Sequence, residues 1–282
     1  MRGRSIFLSL TAIAILIGSA ATAMSRATAT AHNTYLALGD SLAASFQPNG
    51  DHRSGYAEQV FQLEQANVND LRLTKLGCPG ERTNTIDRVR KACPQPAGSQ
   101  LDQAVRVLGR GDVAFVTLHI GSNDLFPCFR FGRGAFAQRC VDERLPKIGA
   151  RLTSIVETLQ AADPGVTIVG GNYHDPLLAL ATIPGFPQDA VKANADVWTS
   201  FNDTLEQTYV SLGVPVADIE TEFSSTDFDT IVHLPRDGDA PINVTRVCEW
   251  TYACSARFEH DFHPNTIGYA AMTRAWEAAL AS

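Results

Sequence analysis

Val113-Ala-Phe-Val-Thr-Leu-His-Ile120, followed at once by Gly121-Ser122-Asn123-Asp124, is the stretch that decides the fold. The first eight residues are apolar and β-branched enough to read as a strand, and Gly121 stops it. Upstream, Tyr35-Leu-Ala-Leu38 is a shorter apolar run ended by Gly39, which suits a buried strand that delivers the chain into a turn. Tyr56, Val60 and Leu63 then recur at helical spacing, and Leu71–Leu76 alternates like a strand. Downstream, Leu145, Ile148, Leu152, Ile155, Val156 and Leu159 trace one helical face, stopped by Asp163-Pro164-Gly165. A strand at Val166–Val169 follows, then a long helix marked by Trp198, Phe201, Leu205 and Leu212. Val214–Ile219 reads as a further strand, and Tyr269, Met272, Trp276 and Leu280 as a final helix. The alternation predicts an α/β protein of one domain, in which helices cover both faces of a mostly parallel central sheet. The stretch from Glu220 to Phe262 lacks clear periodicity and is too long for a plain loop, so it is expected to be functional or to hold short elements.

Composition narrows what such a chain does. Of 282 residues, 45% are hydrophobic and 19% charged, so a sizeable core is available and disorder is excluded. Lysine plus arginine number 23 against 30 acids, a formal charge of -7, which leaves no basic surface for a phosphate backbone and argues against nucleic acid as partner. Arg2 and Arg4, the apolar run Ile6–Ala21 and the small-x-small triplet Ala21-Thr22-Ala23 form a secretory signal peptide over residues 1–23, with a flexible lead over 24–33 and the domain from 34 to 282. The apolar run is short for a membrane anchor. The expectation is therefore a secreted, extracellular protein, monomeric and without a stable membrane anchor. Six cysteines fit that compartment: Cys78, Cys93, Cys128, Cys140, Cys248 and Cys254 form three pairs close in sequence, none with the CxxC spacing of zinc or redox sites. Sequential pairing is expected, each bridge fixing one loop.

In open α/β sheets, reactive groups collect where strands end and helices begin. Gly39-Asp40-Ser41-Leu42 follows the first strand, Gly121-Ser122-Asn123-Asp124 follows the strand at 113–120, and Asp261-Phe262-His263-Pro264-Asn265 precedes the last helix. Singly, each is explained as a cap or turn. Together they supply a hydroxyl nucleophile, an imidazole base and an amide donor, the parts of an acyl-transfer site.

Gly39-Asp40-Ser41-Leu42, Gly80 within Leu76-Gly-Cys-Pro-Gly-Glu-Arg-Thr83, Gly121-Ser-Asn123-Asp124 and His263-Pro264 resemble, in order and spread, the four blocks of the SGNH or GDSL hydrolases. The secreted actinobacterial lipases and esterases of that family are the most similar, over Tyr35 to Leu280 and including three local cysteine pairs. The resemblance implies a flavodoxin-like α/β/α fold and a carboxylic ester hydrolase. It implies Ser41 as nucleophile, His263 as base, and an oxyanion hole made of the Ser41 N–H, the Gly80 N–H and the Asn123 side-chain amide. Asp40 reads as a residue that holds the turn. The chain departs from the family in one place. The acid often stands three residues before the histidine, where this chain has His260. Asp261, two before, is the candidate third member, with a backbone carbonyl as the alternative partner for the imidazole.

Phe126, Phe129, Phe131 and Phe136 make the segment around Cys128 and Cys140 unusually aromatic, and Phe126, Phe129 and Phe131 are candidates for an apolar wall facing an acyl chain of a small-molecule or lipid ester. No cofactor is implied, because ester hydrolysis needs only water and the site. Three other readings stand beside it. A carbohydrate deacetylase or acyltransferase would use the same residues, with Trp250 and Tyr252 able to line a sugar site. A metal-dependent hydrolase would bind its ion at Glu259, His260, Asp261 and His263, but would leave Ser41, Gly80 and Asn123 unexplained. A non-catalytic binding protein on this fold would be expected to lack a block, and none is missing.

Overall fold

The computed structural model describes residues 32–93, 98–234 and 238–282. The expected signal peptide 1–23, and all of the lead 24–33 except His32 and Asn33, lie outside the described residues.

Five parallel strands form the central sheet: β1 (Thr34–Gly39), β2 (Arg72–Lys75), β3 (Val113–His119), and, after the hairpin strands β4 (Phe129–Arg130) and β5 (Ala135–Phe136), β6 (Thr167–Gly171) and β7 (Val216–Ala217). Their order across the sheet is β2-β1-β3-β6-β7. Every residue of β1 is buried, as a strand with helices on both faces must be. Among the described residues the α-helices are α1 (Tyr56–Glu64), α2 (Gln100–Leu108), α3 (Ser122–Leu125), α4 (Gln138–Ala162), α5 (Gln188–Ser211), α6 (Ile219–Glu222), α7 (Ile242–Trp250) and α8 (Thr266–Leu280), and a further hairpin is made by β8 (Ile231–Leu234) and β9 (Gly238–Pro241). Neighbouring residues of β6 show the two covered faces, since side chains alternate across a strand. Gly170 lies against Tyr209 of α5, and Gly171 against Trp276 of α8. Tyr56 of α1 stacks on Trp276 with ring centroids 4.9 Å apart, which joins α1 to α8, while α4 packs between α2 and α5. The result is the three-layer α/β/α arrangement expected, in one compact unit.

Several boundaries differ from the sequence reading for local reasons. The buried face of helix α2 includes Gln100, which interrupts its apolar period, yet Ser99 and Asp102 form a reciprocal capping box at its start. The strand read at Val214–Ile219 reduces to Val216–Ala217, because Asp218 caps α6 with its side chain and ends the extended run. The aperiodic stretch 220–262 holds the β8–β9 hairpin and α7, whose buried positions include Asn243 and Thr245 as well as Val244 and Val247. The three disulfides are Cys78–Cys93, Cys128–Cys140 and Cys248–Cys254. In the chain-entropy picture the 15-residue separation of the first corresponds to about 3 kcal/mol. Among the described residues no helix is long and apolar enough to cross a membrane.

Candidate active site

Strands β1 and β3 are neighbours, and the chain leaves them toward opposite sides of the sheet: β1 is followed by its outer neighbour β2, β3 by β6. A crevice opens at their carboxyl ends, where Ser41 and Asn123 stand. The first turn is tightly determined. Gly39 has φ +133°, and a Cβ there would lie 1.9 Å from the His119 carbonyl oxygen, so only glycine lets the strand ends approach this closely. The Gln100 amide closes the same turn, accepting from the Gly39 N–H at 2.7 Å and donating to its carbonyl at 3.0 Å. Asp40, fully buried, accepts from the Leu42 N–H (2.9 Å), the Ser122 hydroxyl (3.1 Å) and the Tyr173 hydroxyl (2.7 Å). It thereby ties the ends of β1, β3 and β6 together. Burial pushes its carboxyl up to about 6, against the pull of those three hydrogen bonds.

His263 arrives from the other side, on the approach to α8. Asn265 caps that helix through the Ile267 and Gly268 N–H groups, and the His263 carbonyl accepts from the Tyr252 N–H at 3.0 Å. The His263 ring then lies between two partners. Its Nε2 is 2.8 Å from Ser41 Oγ, and its Nδ1 is 2.7 Å from Asp261 Oδ1. The same Asp261 oxygen accepts from the His263 N–H at 2.9 Å. A carboxylate only accepts, so Nδ1 carries the hydrogen and Nε2 presents its lone pair to the serine hydroxyl. Burial acts to raise the Asp261 carboxyl, but the hydrogen bonds and charge of His263 outweigh it and hold it below the usual range.

The remaining expected residues divide. Asn123 lines the cleft, and its amide donates to the Glu81 carbonyl at 3.0 Å, which leaves its second N–H free. Asp124 fixes that loop further, accepting from the Thr83 N–H at 2.7 Å and its hydroxyl at 2.9 Å. Gly80, with φ +75°, sits at the exposed turn one residue before Glu81 and is not among the cleft-lining residues. Phe126 and Phe131 line the cleft, Phe131 from an exposed position. Phe129 does not: it is a buried residue of the β4–β5 hairpin, edge-on to both Phe131 and Phe136, so it is loop core. Trp250 and Tyr252 also lie off the cleft, Trp250 against Phe223 and Arg246, Tyr252 with its hydroxyl on Gln47. His260 borders the cleft with Nδ1 3.0 Å from the Ala253 carbonyl, and Glu259 is exposed. Among the described residues no three His, Cys, Asp or Glu side chains converge as metal ligands.

The cavity beside Ser41 measures about 310 Å³. Besides Phe126 and Phe262 it is walled by Tyr173, His174, Pro176 and Trp198, of which the sequence points to Trp198 alone, and to that only as part of a helix face. The signal was present, for Asn172-Tyr173-His174-Asp175 follows β6 just as the polar clusters follow β1 and β3. Asp175 makes a separate prediction. Its Oδ1 accepts from the Leu177 N–H at 2.8 Å, but its Oδ2 is buried without a partner. Burial first, and then the Glu220 charge, push its carboxyl up to about 7. A carboxyl raised on folding favours the folded state below its ordinary value of 3.8 and loses that contribution as pH rises through about 7. Asp175→Asn keeps the Leu177 acceptor and removes the charge. Thermal unfolding should show it roughly 1–3 kcal/mol more stable than wild type at pH 8, with the gain gone at pH 4. Equal gains at both values would contradict the assignment.

A family model described as GDSL-like lipase/acylhydrolase matches residues 37–271. No curated protein matches significantly. Among solved structures, an extracellular lipase from Streptomyces rimosus superposes with a TM-score of 0.58 at 18% identity, covering 88% of this chain and 99% of that one. An acetylxylan esterase from Geobacillus stearothermophilus does so with a TM-score of 0.54 at 15% identity, over 90% of this chain and 96% of that one. At such identities the likeness to these structures is one of fold.

Proposed function

This chain belongs to the GDSL-like lipase/acylhydrolase family, and we propose that it is an exported serine esterase that works through an acyl-enzyme on Ser41. The observation that carries the reading is the continuous hydrogen-bonded line from Asp261 through His263 to Ser41. Ser41 Oγ attacks the ester carbonyl as His263 Nε2 takes its proton, and Asp261 stabilises the imidazolium that forms. The negative oxygen is met by the Ser41 N–H and the free N–H of Asn123, and Gly80, one residue before the Glu81 carbonyl that Asn123 binds, is the third donor proposed although it does not line the cleft. His263 then returns the proton to the departing alcohol, and water activated by the same imidazole releases the acid. Three disulfides and the leader-like start support the exported setting.

An acyl group lies in the cavity beside Ser41, against Phe126, Trp198 and Phe262. At about 310 Å³ this space sits at the small end of ligand cavities, which run from roughly 300 to 1,000 Å³. Short and medium acyl chains are therefore expected to turn over better than long ones. The test is a hydrolysis panel of acyl esters of graded length, phospholipid and acetylated sugar on the mature protein. Hydrolysis confined to the acetylated sugar would replace this reading with that of a carbohydrate deacetylase. In the same assay Asn123→Ala should lower kcat by about 10²–10³-fold, the usual effect of losing one oxyanion donor, with KM little changed. An Asn123→Ala enzyme at wild-type kcat would remove Asn123 from the oxyanion hole.

A further inference from the structure

The peptide unit between Phe262 and His263 is held at both ends. Its N–H donates to Asp261 Oδ1 at 2.9 Å, and its carbonyl oxygen, that of Phe262, lies 3.3 Å from His174 Nε2. A carbonyl only accepts, so Nε2 carries the imidazole hydrogen and Nδ1 is left with a lone pair. That nitrogen is buried with no partner. His174 is 3% exposed and stacks on Phe223 with ring centroids 4.6 Å apart. Burial, opposed by the Phe262 contact and aided by the His263 charge, pushes its pKa down to about 4. It is therefore neutral in the working range, with a single N–H, and that N–H is given to Phe262. An apolar ring would fill the same space without an orphan nitrogen. What the imidazole adds here is the Nε2 donor.

We infer that His174 is a positioning residue for the reaction, clamping the Phe262–His263 peptide so that Asp261 and His263 stay aligned with Ser41. The inference rests on the serine-esterase reading above. Its physical basis is the rigidity of the peptide plane. If the Phe262 carbonyl turns away, the His263 N–H turns with it and leaves Asp261 Oδ1, the oxygen that also orients Nδ1. His174 borders the cavity, but its ring hydrogen bond goes to the Phe262 carbonyl and not to Ser41 or His263. Its effect passes through the segment that carries two of the three groups.

Two substitutions separate this role from packing. His174→Phe keeps an aromatic ring against Phe223 and removes the donor, and His174→Gln places an amide N–H near the Nε2 position. The kcat of His174→Phe should fall by roughly 10- to 100-fold, as small misplacements of catalytic groups do, with KM within about twofold of wild type. His174→Gln should recover most of the loss, in an order that Tm does not follow. If His174→Phe does not fold, His174→Met against His174→Gln reads the same contrast at matched side-chain length. A donor-less variant at wild-type kcat, or a Gln variant no better than its donor-less counterpart, overturns the inference. Ser41→Ala in the same assay keeps the two failures apart. An inactive Ser41→Ala beside a fully active His174→Phe overturns the clamp alone, whereas an active Ser41→Ala overturns the esterase reading and the clamp with it.

Discussion

Ser41→Ala is expected to lower kcat by roughly 10⁴- to 10⁶-fold and to leave the fold intact. The Ser41 side chain is partly exposed and its hydrogen bond is to His263 Nε2, so the substitution buries no unsatisfied group. Its backbone contribution to the turn survives, because the Phe46 N–H to Ser41 carbonyl bond at 2.9 Å does not involve the side chain. The N–H assigned to the oxyanion hole also remains, so residual turnover should exceed that in water. His263→Ala should cost nearly as much. The double variant should be little worse than either single one, since the two side chains act as a unit. Circular dichroism and Tm, measured beside kcat, separate lost chemistry from lost structure.

Asp261→Asn carries the next largest effect, a loss of about 10³- to 10⁴-fold in kcat with KM little changed. The carboxylate fixes the Nδ1–H tautomer and faces the imidazolium with a full negative charge, whereas an amide can present its N–H to Nδ1 and reverse the tautomer. The change should also alter the response to acid. A carboxyl held below its ordinary value stabilises the folded state above that value and loses the contribution as pH falls through its folded pKa. Any Tm advantage of wild type over Asp261→Asn should therefore shrink on acidification below about pH 4. A variant retaining most of wild-type kcat would instead point to a Ser41–His263 pair with the imidazole oriented by a backbone carbonyl.

What could be read from sequence, and what could not, follows from where burial is apolar. Tyr35–Leu38 and Val113–Ile120 announce themselves because both faces of the inner strands are covered by helices, so the runs are apolar but for Thr117 and His119. Ser41 and Asn123 are legible because each follows such a strand, and His263 because it precedes α8, whose apolar face the sequence marks. Helices α2 and α7 are not, since Gln100, Asn243 and Thr245 interrupt their apolar faces. Gln100 is buried to close the Gly39 turn and Asn243 to donate to the Ser225 carbonyl, contacts between residues far apart in the chain. The phenylalanine cluster shows the same limit in reverse. Composition marks the segment as apolar, but the hairpin pairing of Phe129 with Phe136 decides which rings face inward. The cleft wall at Tyr173–Pro176 and Trp198 is assembled from the end of β6 and one face of α5, a proximity that periodicity within either element does not contain.

Covalent labelling shows whether Ser41 is a nucleophile activated by His263. The mature protein is treated with a fluorophosphonate, and the adduct is located by peptide mass spectrometry in parallel with residual esterase activity. One adduct per chain on the peptide containing Ser41, formed in step with loss of activity, absent in Ser41→Ala and sharply slowed in His263→Ala, is the result predicted. An enzyme that hydrolyses esters yet stays unlabelled and uninhibited, or one whose inactivating adduct maps to another residue, would contradict that role for Ser41.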